Sequence, residues 1–349
     1  MAIRCANYCP TRSIIIKTTH QHGGNIKQFS KEINCSIKEV IDLSSNINFI
    51  KPEININFNN LNISAYPNYD DLYEAIAKLY KVKTSQIELF NGATTAIYSL
   101  FRELNLDEVT LYSPCYLEYK KSATLNGYNL NFINRFENIE QEVKENSLVV
   151  FVNPSTPDGK FYEIDLLMKQ WIAKNCTIFI DESFLDFTPF KSAVSYLESY
   201  DKLYILKSMT KFYSSAGIRV GAILSNEDNI LALQEKEPLW KISEFDSHYL
   251  QSALSDKKFA KKSRQVNDEH RKKLIKILEN STYVEKVYPS SANFVMVKLK
   301  NIDAPTFQKI LIPSKIMIRD CSNFDFLDKT FVRIAVKDNL SLKILEQCL

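Results

Sequence analysis

The chain has 349 residues, 45% of them hydrophobic and 24% charged, which suits a globular protein with one large and one smaller domain and ample core. A net charge of +3 and a pI near 8.3 give no strong pull toward nucleic acid or a membrane surface. The seven cysteines are scattered and odd in number, and the one close pair, Cys5 and Cys9, has no histidine at ligand spacing, so free thiols in a reducing cytoplasm are expected, with no zinc site or disulfide framework.

In chain order, residues 1–60 read as an irregular polar arm. Its "SIII" run at 13–16 is too short for a signal segment, and no stretch of the chain approaches a membrane span, which predicts a cytoplasmic protein. One amphipathic helix is expected near Ile26–Glu32 and a short strand at "VIDLSSN". From "DDLYEAIAKLY" the pattern becomes regular: Leu72, Ala75, Ile76 and Leu79 recur at helical spacing, and Asp70 or Asp71 can cap the start. Short apolar strands then alternate with helices: 109–113, 147–152, 177–181, 203–208 and 221–225, with a helix over 163–174. Strands buried on both faces and separated by helices predict an α/β domain with a mostly parallel sheet over 61–240. The remainder, 241–349, combines long charged helices with "ANFVMVKL", "KIMIRDC" and "FVRIAV", the pattern of a smaller α+β domain.

Ligand groups in such a sheet gather at the carboxyl ends of the strands. Gly92, Ala93 and Thr94 in "NGATTAI" stand where a helix begins, a place that favours a phosphate, although plain capping would use the same residues. Asn153 in "FVNPSTPDG" ends one strand and then turns, as an ordinary loop would. Asp181 in "FIDESFLDF" ends the next strand after four apolar residues; it either caps the following segment or answers a buried cation. In "LKSMTKFYSSAGIRVGA", Lys211 follows a strand, with Ser208 and Thr210 before it and Arg219 after it among small residues. A helix-start phosphate site, the aromatic "PCYLEY", then Asn, Asp, Lys and Arg at successive strand ends would serve a cofactor with a phosphate, a flat ring, a ring hydroxyl and a ring nitrogen. Pyridoxal phosphate has all four features, bonds covalently to a lysine, and takes an acidic partner at its ring nitrogen.

From about residue 20 onward the chain resembles the fold-type I pyridoxal phosphate enzymes of the class I/II aminotransferase superfamily. The resemblance implies that Lys211 bonds to the cofactor, Asp181 pairs with the ring nitrogen, Asn153 binds the ring hydroxyl and Tyr116 stacks on the ring. It assigns the cofactor phosphate to Gly92, Ala93, Thr94, Ser208 and Arg219. It also implies a homodimer in which Tyr66 of "AYPNYD" reaches the other subunit's phosphate, and it gives Arg333 of "FVRIAV" to a substrate carboxylate.

Three further stretches, "HGGNI" (22–26), "DLSSNIN" (42–48) and "IRDCSNF" (318–324), are similar to the threonine-phosphate decarboxylases of cobamide biosynthesis, relatives of the histidinol-phosphate aminotransferases. Phe184 in "DESFLDF" points the same way, since the aminotransferases usually carry Tyr there. The resemblance implies that His22, Gly23, Asn46, Asn153, Arg319 and Arg333 form the pocket for a small O-phosphorylated amino acid, with phosphothreonine and phosphoserine both open. Two guanidinium forks suit a substrate with both a carboxylate and a phosphate. Departures from the superfamily pattern are Thr156 and Asp158 in the "NPSTPDG" loop and the roughly twenty residues ahead of "HGGNI". The rival expectation is an aminotransferase of the histidinol-phosphate type. A DNA-binding regulator is disfavoured, because those leading residues cannot supply a DNA-binding module.

Overall fold

The computed structural model describes residues 22–349; Cys5, Cys9 and the "SIII" run lie outside the described residues. The described chain begins with a bend at His22 and Gly23 and then helix α1 (Ile26–Glu32), whose first turn is capped by the Asn25 side chain accepting from the Gln28 amide. Strand β1 (Ile41–Asp42) follows. Helix α2 (Asp70–Tyr80) buries Leu72, Ile76 and Ala77 and leaves Leu79 exposed. Asp70 and Asp71 stand in its first turn and not at the cap position, so their charge complements the helix dipole while Tyr69 occupies the cap without a side-chain bond.

A seven-stranded sheet forms the large body. Its strands are β2 (Ile87–Phe90), β3 (Glu108–Ser113), β4 (Asn129–Asn134), β5 (Leu148–Val152), β6 (Thr177–Asp181), β7 (Leu203–Ser208) and β8 (Gly221–Leu224), in the order β2-β8-β7-β6-β5-β3-β4. The neighbours β4-β3-β5-β6-β7 run parallel, and β8 is antiparallel to both β7 and β2. Successive residues of β5 serve opposite cores. Val149 and Phe151 belong to one apolar cluster, in which the Phe151 ring meets Trp171, whereas Leu148 and Val150 belong to the other, with residues of helix α3 (Ala93–Leu104) and helix α4 (Leu117–Leu125). Trp171 lies in helix α5 (Asp165–Ala173), fully buried, and its indole N–H donates to Tyr112 Oη at 3.0 Å, so the ring keeps its apolar burial without an unpaired donor. The sheet matches the α/β expectation, with two strands the sequence pattern did not mark, β2 and β4.

Helix α6 (Met209–Phe212) begins where β7 ends. Beyond β8, helices α7 (Glu227–Gln234), α8 (Glu244–Ser255) and the 21-residue α9 (Phe259–Glu279) lead to the strands β9 (Val284–Val287), β10 (Phe294–Leu299), β11 (Ile316–Met317), β12 (Arg319–Asp320) and β13 (Phe331–Ala335). Four of them form an antiparallel sheet ordered β12-β13-β10-β9, packed against α9 and against helix α10 (Ala304–Leu311) and helix α11 (Asn339–Cys348). Strand β1 belongs to this second body. It pairs in parallel with β11, and Leu43 is fully buried among Phe307, Val332 and Leu342. The Leu43 amide donates to Met317 at 2.8 Å, and its carbonyl accepts from the Ala335 amide at 2.8 Å. The segment that carries "DLSSN" is thereby welded to the C-terminal sheet. Among the described residues no helix is long and apolar enough to cross a membrane.

Candidate active site

The carboxyl ends of β6 and β7 and the start of α3 meet the C-terminal sheet around a cavity of about 240 Å³. Lys211 projects from α6 into it, with Nζ 5.3 Å from the centre of the Phe184 ring. The Lys211 turn is fixed from below by Asn48, whose amide donates to the Lys211 carbonyl at 3.1 Å. The Asn48 side chain bonds the Phe212 carbonyl at 2.8 Å and Ser263 Oγ at 2.6 Å, and accepts from Asn267 at 3.0 Å. Burial lowers the Lys211 ammonium pKa from its ordinary value; Asp181 opposes the shift, and Arg219 and Arg333 add to it. A neutral amine, the form able to attack a carbonyl, is thus more accessible than for a surface lysine.

Asp181 ends β6 on the same wall. Its Oδ2 accepts from Tyr119 Oη at 2.6 Å and its Oδ1 from the Ser183 amide at 2.8 Å. Tyr116 lines the cavity edge-on to Tyr119, with ring centres 6.2 Å apart, and its hydroxyl lies 3.4 Å from Thr94 Oγ1.

An anion cradle closes this half of the cavity. Gly92 caps α3 with no side-chain bond, leaving the first-turn amides of Ala93 and Thr94 without intrahelical acceptors. Ser208 and Thr210 pair their hydroxyls at 2.8 Å, and Arg219 curls over the turn with Nη1 donating to the Ala216 carbonyl at 3.1 Å. Gly92 has φ +85° and ψ 152°, a region almost restricted to glycine, and a Cβ there would stand 2.4 Å from Arg219 Nη2. Gly92→Ala is expected to cost about 1–3 kcal/mol of stability through backbone strain. By displacing a charge-assisted donor it should also weaken pyridoxal phosphate binding by about tenfold or more. Thermal melts and cofactor titration check both; unchanged cofactor affinity would contradict the cradle.

The opposite wall comes from the second body. Arg319 and Arg333 are direct cross-strand partners on β12 and β13, and both are buried. Arg319 Nη2 donates to Asn323 Oδ1 at 2.8 Å, and its guanidinium lies over the Phe324 ring. Arg333 donates through Nη1 to Thr156 Oγ1 at 2.9 Å and through Nη2 to the Ser44 carbonyl at 3.3 Å; its Nε has no partner. Burial pulls the Arg333 pKa down to about 10, with Cys321 and Asp42 opposing and Arg319 reinforcing the shift, so it remains cationic at neutral pH. Asn46 and His22 complete this wall, and Asn46 Oδ1 is buried without a partner. Gly23 packs so tightly on Ser44 that a Cβ would sit 2.3 Å from the Ser44 carbonyl oxygen.

Of the expected residues, Gly92 lies just outside the cavity lining as the cap of α3, and Asn153 and Tyr66 stand apart from it. Asn153 is buried at the end of β5, but its carboxamide is engaged by the Tyr162 backbone on both sides, Nδ2 to the carbonyl and Oδ1 from the amide, each at 2.9 Å. One Nδ2 hydrogen remains for a further acceptor. Tyr66 is 74% exposed, stacked on Trp240 with ring centres 4.0 Å apart, and does not line the cavity of its own chain. Sequence reasoning missed Tyr119, Asn48, Thr156 as a partner of Arg333, and Glu118, which holds His22. Tyr119 and Glu118 lie inside the quoted "PCYLEY", whose polar and phenolic members were the available signal.

The donor set fits pyridoxal phosphate: a reactive amine with a lowered pKa, a carboxylate held by two hydrogen bonds, an aromatic face, and an uncapped helix start beside a guanidinium. Comparison with known proteins agrees. The family model for aminotransferase class I and II matches residues 34–347. The chain is 29% identical over 341 residues to an adenosylcobalamin biosynthesis bifunctional protein, CobDQ, of Leptospira interrogans, covering 91% of this chain and 39% of that protein. The chain thus spans well under half the length of that relative. It is 29% identical to a putative threonine-phosphate decarboxylase of Caldanaerobacter subterraneus, covering 93% of this chain and 92% of the relative. Among solved structures, the histidinol-phosphate aminotransferase of Clostridium acetobutylicum superposes with a TM-score of 0.74 at 29% identity, over 82% of this chain and 90% of that one.

Proposed function

The chain belongs to the class I and II aminotransferase family, a pyridoxal phosphate enzyme family, and on that footing we propose that it decarboxylates an O-phospho-L-amino acid, L-threonine O-3-phosphate or L-serine O-phosphate. The product is the phosphorylated amino alcohol, destined for cobamide assembly. The observation that carries this reading is the wall facing Lys211, where two buried guanidinium groups stand side by side on β12 and β13 with Asn46 and His22 around them. A ligand with two anionic ends and an amine between them satisfies that wall, and the amino acid relatives of such a ligand carry the carboxylate that must leave.

When bound, pyridoxal phosphate supplies an electron sink for the pair released at Cα. The protein decides which Cα bond yields that pair. Arg333, anchored to Thr156 and Ser44, fixes the carboxylate, while Arg319 and His22 take the phosphate and set the rotation about Cα. Held by these groups, the substrate would present its Cα–carboxylate bond for cleavage, the carboxylate leaving as CO2 and its electron pair passing to the sink that the cofactor would supply. Lys211, the basic group on the cavity floor, then delivers the proton that replaces it. Phe184 lies against Lys211 and offers no hydroxyl to compete for that proton.

The deciding experiment supplies the cofactor-loaded protein with O-phospho-L-threonine and O-phospho-L-serine and follows CO2 and the phosphorylated amine. Release from either supports the decarboxylase, and the ratio of rates identifies the preferred substrate; one methyl group is worth only about 1–3 kcal/mol. No release, with 2-oxoglutarate consumed when histidinol phosphate is the donor, would replace this reading by the aminotransferase, to which the structural similarity also leads.

We further propose a homodimer. Tyr66 and Trp240 stack on each other yet remain 74% and 52% exposed, with Leu239 bare beside them, an apolar surface that a second copy would cover. Trp240→Glu is expected to shift sedimentation from dimer toward monomer and to weaken cofactor retention; a wild-type monomer would refute the proposal.

A further inference from the structure

The first turn of α4 joins the two walls of the cavity. Tyr116, on the cofactor side, is its cap, and Glu118 is its second residue. Both carboxylate oxygens of Glu118 are used. Oε2 accepts from Tyr98 Oη at 2.6 Å, and Oε1 lies 3.2 Å from His22 Nε2. Lys121 Nζ stands 3.7 Å from Oε2. The Glu118 side chain is only 13% exposed, whereas His22 is 44% exposed and sits at the mouth of the cavity, its ring centre 5.6 Å from that of Tyr116. Burial tends to raise the Glu118 pKa, but the Tyr98 hydroxyl, Lys121 and His22 outweigh it and hold the group below its ordinary value, as a carboxylate.

A carboxylate only accepts hydrogen bonds, so the contact requires the proton of His22 to be on Nε2. One nitrogen of the ring is then committed to the protein and Nδ1 alone is left for a ligand. We propose that Glu118 is a positioning residue for the phosphate end of the substrate: it holds the His22 imidazole against Tyr116 in one tautomer, so that Nδ1 meets the phosphate. This rests on the phospho-amino acid reading given above. Nδ1 serves in either protonation state, accepting from a P–OH when the ring is neutral or donating to a P–O⁻ when it is charged. The carboxylate that holds this exposed histidine is itself tied to Tyr98. Glutamine at 118 has one acceptor oxygen for two donors, Tyr98 and His22, so Glu118→Gln breaks the arrangement with almost no change of shape.

The test is a double-mutant cycle on cofactor-loaded protein with Glu118→Gln, His22→Ala and the double variant. Dissociation constants are read from the cofactor absorbance for whichever O-phospho-L-amino acid the wild type binds more tightly, and for the same amino acid without its phosphate. Each single variant is expected to weaken the phosphorylated ligand by about threefold to thirtyfold, and the double variant no more than His22→Ala alone. Binding of the unphosphorylated amino acid and the melting temperature should stay at wild-type values. Independent, multiplying effects, equal weakening of both ligands, or no effect of Glu118→Gln would each overturn the proposal. Because the absorbance change on mixing registers binding whether or not CO2 is later released, a wild type that binds the phosphorylated ligand but releases no CO2 would overturn the decarboxylase reading and leave this one standing. A wild type that does not bind it would overturn both.

Discussion

Lys211→Ala is expected to leave no cofactor covalently attached to the protein after borohydride reduction, whereas the wild type should carry one pyridoxyl group on the peptide containing Lys211. Turnover should fall by at least the order of 10²–10⁴-fold that a positioned proton-transfer group contributes, and by more if cofactor capture also fails. The neighbouring Lys207 makes this a sharp test. It lies four residues earlier on β7, only 1% exposed, ion-paired with Glu182 and seated 4.3 Å from the centre of the Tyr80 ring, on the side of the sheet away from the cavity. A buried, paired ammonium cannot take over as nucleophile, because losing its proton would strand the Glu182 carboxylate. Lys211 has no carboxylate within ion-pair distance among the described residues, and the balance of burial, Arg219 and Arg333 against Asp181 leaves its pKa lowered. Lys211→Arg should fail as completely as the alanine variant despite keeping the positive charge. A borohydride-stable label on the Lys211→Ala protein would refute the assignment.

The cofactor half of the site was legible because it follows the rhythm of the sheet. Asp181 and Ser208 are the last residues of β6 and β7, and Lys211 comes one turn later, so marking the apolar strands also marked the chemistry. Strands β2 and β4 escaped for opposite reasons. "IELF" is only four residues long and runs directly into the α3 turn, and "NLNFIN" dilutes its apolar positions with asparagines, of which Asn129 is exposed and Asn131 and Asn134 half-buried at the sheet edge. The expected arm is where local pattern said least. Its "DLSSN" stretch gains its structure from β11 and the C-terminal sheet, a pairing between distant parts of the chain that no local periodicity encodes. The same limit hid the Tyr119–Asp181 bond and the clamp of Asn48 on the Lys211 turn, since both couple residues that are neighbours only after folding.

That pairing divides the labour of the site. Groups suited to the cofactor (Lys211, Asp181, Thr94, Arg219) belong to the body built on the seven-stranded sheet, at its strand ends and the helix starts beside them. Of the groups that face them, Arg319 and Arg333 stand on the four-stranded sheet, Asn46 is held beside it through Asn293, and His22 is tied back to Glu118 of α4. Among the described residues, polar contacts that join the two sides near the cavity include Glu118 with His22, Lys120 with Asp325 at 2.6 Å, Thr156 with Arg333, and Asn48 with the Lys211 and Phe212 carbonyls. On the proposed function, substrate orientation depends on how one body sits on the other. In a family where the same cofactor serves several reactions, that seating is a physical lever on which Cα bond faces the sink.

Arg333→Met should separate binding from stability in opposite directions. In the free protein Arg333 is a buried cation whose hydrogen bonds go only to neutral oxygens, of Thr156 and Ser44, and whose Nε is unpartnered. Such a charge is unfavourable where it stands, and its pKa, pulled down to about 10 chiefly by burial, records that cost. Methionine fills similar volume without the charge, so the melting temperature of the ligand-free variant is expected to hold or rise, even though Thr156 and Ser44 each lose a donor worth about 1 kcal/mol. Substrate binding should move the other way. Removing one member of a buried, hydrogen-bonded charge pair costs about 2–5 kcal/mol, so the Kd for the phospho-amino acid should rise by roughly 30-fold to several thousand-fold. Arg333→Lys keeps the charge but not the two-pronged donor, and should recover only part of that loss. If Arg333 instead served the fold, the methionine variant would melt earlier and bind normally, and the assignment of the substrate carboxylate to this residue would be wrong.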